Sequence, residues 1–223
     1  YSFLSLLLTS TFLSCQPSSK EKKHNSDANQ YMNQSDFTEL VERFESPDRE
    51  AWQKPHEVID KLEPLFGKTI ADIGAGSGYF SFRLAERGVK VIAKDIDEQF
   101  IELIKKKKAE LNDSLVEPHL VKHDDPLLEA DEVDAVIIVN TYHHIDNQFE
   151  YFRKVLKGLK PGGTLLIVDF KKEETPHGPP IEMRISGLDV IKKLQRVGFS
   201  KTIIETTTLE EQYIITATKA EEK

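Results

Sequence analysis

The stretch Ile70-Ala71-Asp72-Ile73-Gly74-Ala75-Gly76-Ser77-Gly78-Tyr79 decides the fold, because it joins a short apolar run to a helical pattern through three glycines. Glycines let a backbone turn sharply and approach a ligand without a Cβ in the way. A turn of this kind between a first strand and a first helix is typical of a nucleotide-binding loop. The spacing here is Gly-x-Gly-x-Gly, whereas dinucleotide sites have Gly-x-Gly-x-x-Gly. Asp72 precedes the glycines, where a carboxylate would repel a pyrophosphate but can pair with an ammonium group.

On the C-terminal side of this loop, short β-rich runs alternate with helical patterns. The spacing predicts five strands, at residues 69–73, 90–95, 116–122, 134–139 and 164–170. It predicts helices at residues 37–44, 56–62, 79–87, 98–111, 149–159 and 187–197. Apolar strands that alternate with amphipathic helices indicate a parallel sheet covered on both faces. Two further strands, 201–206 and 212–218, are joined by so short a loop that they must form an antiparallel hairpin. The expected fold is therefore α/β, with a Rossmann-like, doubly wound sheet of seven strands that is mostly parallel and ends in an antiparallel hairpin.

The glycine loop resembles motif I of the class I S-adenosylmethionine-dependent methyltransferases. Further matches run from Ile59 to about Thr218 and include the turn Leu159-Lys160-Pro161-Gly162-Gly163 before an apolar strand. In that family the loop lies against the amino acid half of S-adenosylmethionine. The resemblance therefore implies this methyl donor as the cofactor, with contacts from Asp72, Gly74, Ala75, Gly76 and Gly78.

The ends of the second and third predicted strands carry further acidic residues. Asp95 lies about twenty residues beyond the glycines, where a carboxylate can accept both ribose hydroxyls. The resemblance implies the same role for Asp95, with Ile96 beside it, and Asp97 is expected to cap the next helix. In the family an acidic residue after the third strand receives the adenine amino group. Asp124 and Asp125 both fit that position, and the other one would be an exposed turn residue.

The fourth predicted strand opens into Asn140-Thr141-Tyr142-His143-His144, which resembles the motif IV position of small-molecule methyltransferases. Asn140 is expected to orient the donor or the substrate, together with Tyr142 or His143. An oxygen or nitrogen acceptor also needs a base with a pKa near neutrality, for which His143 or His144 is suited. Tyr142, His143 and His144 are therefore the candidate catalytic residues. No third His or Cys is spaced to complete a zinc site with the histidines, so no metal is expected.

The net charge and the lengths of the segments limit which partners the protein can be expected to have. The net charge of −8 argues against nucleic acid as a main partner, because binding phosphates needs a basic face. The basic run 105–108 is interpreted as a solvated helix end. We expect residues 37–55, with Trp52, and the loop 171–184 to roof the acceptor pocket. Because no separate substrate domain is visible, the expected acceptor is a small molecule.

The N-terminal residues resemble a bacterial lipoprotein signal. Residues 3–13 are apolar but too short to span a bilayer comfortably, and Ser14 precedes the single cysteine, Cys15. In the lipoprotein pattern Cys15 would become the first mature residue and carry the lipid, the only expected link to a membrane. The predicted division is a signal peptide at 1–14, a polar tether at 15–34, an N-terminal helical cap at 35–66 and the methyltransferase domain at 67–223. The expected location is then the bacterial cell envelope; if residues 1–14 are instead a buried or frayed N-terminal segment, it is the cytoplasm.

Two other functions remain to be weighed against a methyltransferase of a small acceptor. A non-catalytic S-adenosylmethionine-binding lipoprotein module would keep the donor pocket without a working acceptor site. A nicotinamide oxidoreductase is disfavoured by Asp72 and by the glycine spacing.

Overall fold

The computed structural model describes residues 36–221. The predicted signal peptide, the tether up to residue 34 and the predicted lipid site at Cys15 lie outside the described residues. Within the described part, no helix is long and apolar enough to cross a membrane.

The described chain alternates strands and helices as the sequence predicts. The strands are β1 (Thr69–Ile73), β2 (Lys90–Asp95), β3 (Val116–Leu120), β4 (Val133–Val139), β5 (Leu159–Phe170), β6 (Ser200–Glu205) and β7 (Gln212–Thr218). The helices are α1 (Phe37–Phe44), α2 (Asp48–Gln53), α3 (Pro55–Asp60), α4 (Tyr79–Glu86), α5 (Glu98–Glu110), α6 (Gln148–Gly158) and α7 (Gly187–Val197). Short 3-10 turns occur at Tyr142–His144 and Ile181–Met183.

The seven strands form one sheet in the order β3-β2-β1-β4-β5-β7-β6. The first five strands pair in parallel, and β7 pairs antiparallel with both β5 and β6. This confirms the predicted mostly parallel sheet with an antiparallel C-terminal pair. The chain order reverses between β1 and β4, and ligands of open α/β sheets bind at such a point, beyond the carboxyl ends of the strands.

Helices cover both faces of the sheet because successive residues of its strands point to opposite sides. Ile70 and Ile137 belong to one buried cluster, which α3, α4 and α5 also supply. Their neighbours Ala71 and Ile138 belong to a second cluster, which is completed by α6 and α7. The two clusters explain why the central strands read as nearly unbroken apolar runs.

The structure differs from the prediction in the N-terminal cap. The prediction left the segment between Pro47 and Pro55 without a helix, but residues 48–53 form α2. This helix starts after Pro47 and ends at Lys54, whose φ of 44° is left-handed. The left-handed residue allows the chain to restart as α3 at Pro55, because a proline disfavours the α conformation in the residue before it.

The start of β5 was also predicted wrongly. Residues 161–163 were expected to form a turn before a strand at 164–170, but the strand begins at Leu159, which pairs with Val133. Gly162 has a φ of 75° and donates its N–H to the carbonyl of Lys219 at 3.2 Å. The glycine pair is therefore an irregularity within a paired strand, not a separate turn.

Candidate functional site

A cavity of about 770 Å³ opens at the carboxyl ends of the parallel strands. The strand ends contribute residues 73–77, 95–97, 121–123, 139–141 and Phe170, and the segment after β4 adds His143, His144 and Ile145. The roof is made by α1, α2 and the loop after β5, whose lining residues include Trp52, His177 and Met183. Both segments that the sequence predicted as a roof therefore line the cavity.

The glycine loop is packed tightly between the sheet and the roof. Gly74 has a φ of 74°, and a Cβ built there would lie 2.3 Å from Oγ1 of Thr141. Gly76 has a φ of 53°, and a Cβ there would lie 3.2 Å from the ring of Phe44 in α1. The N–H groups of Gly74 and Ala75 donate to the carbonyl of Lys94 at 2.8 and 3.1 Å. The loop is thus held firmly, and its residues Gly74, Ala75, Gly76 and Ser77 line the cavity.

Asp95 is the buried carboxylate at the floor of the cavity. Its Oδ2 accepts the N–H of Gly76 at 2.8 Å, and its Oδ1 accepts the N–H of Asp97 at 3.0 Å. Burial raises the pKa of Asp95, although these N–H groups oppose the shift. Asp97 caps α5, as predicted, by accepting the N–H of Gln99 at 2.8 Å. The glycine loop and the predicted ribose ligand are therefore joined directly.

Asp72 does not line the cavity, in contrast to Gly74, Ala75, Gly76, Asp95, Ile96 and Asn140. Its carboxyl group accepts the hydroxyl of Ser81 at 2.6 Å, which ties β1 to α4. Burial raises the pKa of Asp72 to about 6 despite this hydrogen bond. The predicted direct contact of Asp72 with the donor ammonium therefore has no support from the cavity lining. Gly78, which caps α4 with a φ of 80°, is also absent from the lining.

The turn after β3 places neither predicted adenine ligand in the cavity lining. Asp124 is exposed, and Asp125 forms an ion pair with Lys154 at 2.9 Å. Hydrogen bonds with Lys154 lower the pKa of Asp125. This strand is two residues shorter than predicted, and Val121, Lys122 and His123 line the cavity instead.

Asn140 is held by a network of amides that sequence reasoning missed. Its Oδ1 accepts the Nε2–H groups of Gln53, at 3.3 Å, and of Gln212. Gln53 also donates to Oε1 of Gln212 at 2.9 Å, and both glutamines are fully buried. The network joins α2, the end of β4 and the start of β7. Because Oδ1 of Asn140 receives both donors, its NH2 group is left to serve the cavity.

His143 is paired with Asp169, a residue of β5 that the sequence analysis did not select. Nδ1 of His143 lies 2.9 Å from both carboxylate oxygens, and its backbone N–H donates to Oδ2 at 3.2 Å. Both side chains are 4% exposed. A carboxylate only accepts, so Nδ1 carries a proton, and in the neutral imidazole the lone pair is then on Nε2. A lone carboxylate within an apolar strand, Asp169 in residues 164–170, was the available signal.

The other two candidate catalytic side chains differ from His143. His144 lines the cavity, but burial and the neighbouring His143 lower its pKa to about 3, so it stays neutral at physiological pH. Tyr142 is fully buried, packs against Phe152 with ring centroids 5.2 Å apart and does not line the cavity. Burial raises the pKa of Tyr142 well above its usual value. Catalysis by Tyr142, one of the predictions, therefore has no geometric support.

The roof closes through aromatic contacts. The ring of Trp52 stacks on His177 with centroids 4.8 Å apart and lies 5.9 Å from Phe170. Nδ1 of His177 lies 2.8 Å from Oε1 of Glu211. Arg184 holds the loop together through carbonyl groups that include those of Pro179, at 2.8 Å, and Glu173, at 2.6 Å. The two roof segments thus meet over the acceptor side of the cavity, which we define by His143, Trp52, Phe170 and His177.

The histidines do not form a recognisable metal centre. In the described residues, no group of three or more His, Cys, Asp or Glu side chains is arranged to hold a metal ion.

Comparison with known proteins agrees with this geometry. Residues 71–165 match the family model described as "Methyltransferase domain". An uncharacterised methyltransferase of Mycobacterium tuberculosis is 31% identical over 120 residues, which cover 54% of this chain and 47% of that protein. A ubiquinone biosynthesis O-methyltransferase of Aeromonas salmonicida is 26% identical over 188 residues, which cover 78% of this chain and 75% of that protein. This chain spans about half the length of the mycobacterial relatives that it matches.

The fold has a solved counterpart. The crystal structure of an S-adenosylmethionine-dependent methyltransferase from Aquifex aeolicus has a TM-score of 0.77 and 23% sequence identity, and covers 83% of this chain and 100% of that chain. Residues 71–165 are thus similar to a methyltransferase domain, and the described residues share the Rossmann-like fold of an S-adenosylmethionine-dependent methyltransferase.

Proposed function

We propose that this protein transfers a methyl group from S-adenosylmethionine to a small acceptor inside the cavity. One contact at the floor of that cavity carries the proposal. The N–H of Gly76, in the glycine loop, donates to Oδ2 of Asp95 at 2.8 Å. The glycine loop and the Asp95 carboxylate therefore line the same cavity as one connected unit.

The residues present fit the donor. The cavity volume of about 770 Å³ lies within the roughly 300–1,000 Å³ of typical small-molecule sites. Ser77, in the glycine loop, is one of the lining residues, and its buried hydroxyl has no hydrogen-bond partner among the described residues. Because a buried hydroxyl without a partner is costly, Ser77 is explained if a bound ligand supplies that partner. Asp95 retains lone pairs that can accept ribose hydroxyls.

When bound, the donor supplies an electrophilic methyl group on a sulfonium. The chain's own part is to hold the donor and the acceptor in line, which is worth about 7–11 kcal/mol when the geometry of attack is preset. The glycine loop and Asp95 hold the donor side. Trp52, Phe170 and the NH2 group of Asn140 are available to orient the acceptor.

His143 is the general base in this proposal. Its Nε2 lone pair is fixed by the hydrogen bond from Nδ1–H to Asp169 and can take the proton that an oxygen or nitrogen acceptor loses. The Asp169 carboxylate then stabilises the charged imidazolium. The name of the Aeromonas relative, an O-methyltransferase, is consistent with an oxygen acceptor.

Donor binding tests the site directly. Asp95→Ala removes charge-assisted hydrogen bonds worth about 1.5–3 kcal/mol each, and should weaken binding of S-adenosylhomocysteine roughly tenfold or more. Asp95→Asn keeps one acceptor oxygen and should lose less. Isothermal titration is the measurement, with thermal melting as the control for folding. Unchanged affinity in a folded Asp95→Ala variant would show that Asp95 does not bind the ribose.

The alternative, a donor-binding module without catalysis, keeps everything on the donor side. Mass spectrometry of a co-purified ligand, followed by a screen of small acceptors with isotopically labelled donor, separates the two functions. Transfer of label to an acceptor supports the enzyme. Tight donor binding without transfer to any member of a broad panel of phenols, carboxylic acids and amines supports the module.

We also propose that Cys15 carries a lipid that anchors the protein in the cell envelope. One lipid chain binds membranes only marginally, whereas several chains on one cysteine hold a protein firmly. In cells that express the complete gene product, the wild-type protein should fractionate with membranes and Cys15→Ala should not. Wild-type protein found wholly in the soluble cytosolic fraction, with residues 1–14 still attached, would contradict the anchor.

A further inference from the structure

Arg49 is a buried cation in the wall of the cavity. It lies in α2, its residue surface is 8% exposed, and it is among the lining residues. Its guanidinium lies 4.1 Å from the ring centroid of Tyr79, the residue that follows the glycine loop. Burial lowers the pKa of Arg49 to about 10, which is still far above neutral pH, so the side chain keeps its charge.

Only two of the N–H groups of this guanidinium have hydrogen-bond partners among the described residues. Nε donates to Oε1 of Gln53, and one Nη1–H donates to the carbonyl of Phe44 at 2.7 Å. Within the described part of the chain, no ion pair joins Arg49 to a carboxylate; Glu45 and Asp72 act on its charge only from a distance. A guanidinium has five N–H donors, so three of them have no hydrogen-bond partner among residues 36–221.

A buried charge without a counterion is destabilising, so a ligand that completes this wall should bring an anion. The unpartnered hydroxyl of Ser77, on the glycine loop, is a second donor at the same side of the cavity. Arg43 and Lys122 also line the cavity, but both are exposed, so their charges are solvated. The buried positive charge on the donor side is therefore that of Arg49.

We propose that Arg49, assisted by the Ser77 hydroxyl, binds the carboxylate of the methionine moiety of the donor. This inference rests on the proposed function. The donor has a single carboxylate, and a guanidinium can bind such a group through two parallel hydrogen bonds. Because Arg49 belongs to α2, its bond to the donor joins the roof to a ligand that the glycine loop also contacts.

The test compares S-adenosylhomocysteine with its decarboxylated analogue, S-adenosyl-3-thiopropylamine, which keeps the ammonium and the nucleoside. The wild-type protein should bind S-adenosylhomocysteine more tightly. Arg49→Met should weaken that ligand roughly 10- to 100-fold, the range for a lost charged hydrogen bond, and should leave the analogue nearly unaffected. Arg49→Lys, which keeps the charge, should recover part of the preference for S-adenosylhomocysteine over the analogue. It therefore still tests the proposal if Arg49→Met fails to fold.

Arg83 provides a matched control. Its guanidinium lies 3.7 Å from the centroid of the same Tyr79 ring, but it pairs with Glu50 and does not line the cavity. Arg83→Met should therefore keep the wild-type preference for the carboxylate.

The outcomes separate the inference from the function on which it rests. If Arg49→Met weakens both ligands equally, Arg49 only supports the roof, and the proposal is overturned. If both ligands bind the variant as they bind the wild type, Arg49 does not contact the donor, and the proposal is overturned as well. If the wild-type protein binds neither ligand, the donor site itself, and with it the proposed function, is wrong.

Discussion

Replacing His143 with alanine should lower the rate of methyl transfer by roughly 10²- to 10⁴-fold, the usual contribution of a general base. The affinity for S-adenosylhomocysteine should change little, because His143 lies on the acceptor side of the cavity. The measurement is turnover at saturating donor, with an acceptor identified by the labelled-donor screen, beside titration of the donor product.

Two further variants separate the base from its neighbours. Asp169→Asn keeps the shape of the carboxylate but can donate to Nδ1, which moves the proton to Nε2 and removes the lone pair. Its turnover should fall nearly as far as that of His143→Ala. His144→Gln should be much milder, since a pKa lowered to about 3 makes His144 a poor base at neutral pH. Full turnover in a folded His143→Ala variant would contradict the assignment of His143 as base.

The second large effect is expected at Gly76. Gly76→Val places a branched side chain at a φ of 53° against the ring of Phe44, between two residues that line the cavity proposed for the donor. Overpacking of this kind costs about 1–3 kcal/mol, which corresponds to a loss of donor affinity of roughly 10- to 100-fold. Isothermal titration with S-adenosylhomocysteine measures it.

Gly67 offers the matched control for backbone strain. Its φ is 76°, also left-handed, but a Cβ there has no atom within 4 Å. Gly67→Val should therefore share the strain, about 1–3 kcal/mol of stability, and keep the affinity for the donor product. If Gly76→Val binds as tightly as Gly67→Val, the ligand is not packed on the glycine loop.

The sequence was sufficient for the features that depend on local periodicity. Alternation of apolar strands with amphipathic helices predicted the doubly wound sheet, and the short connection between residues 206 and 212 predicted the antiparallel pair of β6 and β7. Position alone likewise predicted that the glycine loop and Asp95 lie together, because the loop follows β1 and Asp95 ends β2, and these strand ends meet at one edge of a parallel sheet. The predicted start of β5 was wrong because the Pro-Gly-Gly sequence indicated a turn, whereas Gly162 is hydrogen-bonded to Lys219 within the paired strand.

Only the tertiary structure decided which side chains reach the cavity. His143 and Asp169 are 26 residues apart, and Gln53 and Gln212 are 159 residues apart, so neither contact leaves a local pattern in the sequence. Asp72 and Tyr142 match site positions along the chain, yet both side chains are buried away from the cavity lining. Arg49 showed the reverse, since an ordinary residue of a short helix between two prolines became a buried cation on the cavity wall. Periodicity determines which residues form strands and helices, whereas the packing of distant elements against one another determines which polar groups are left facing the ligand.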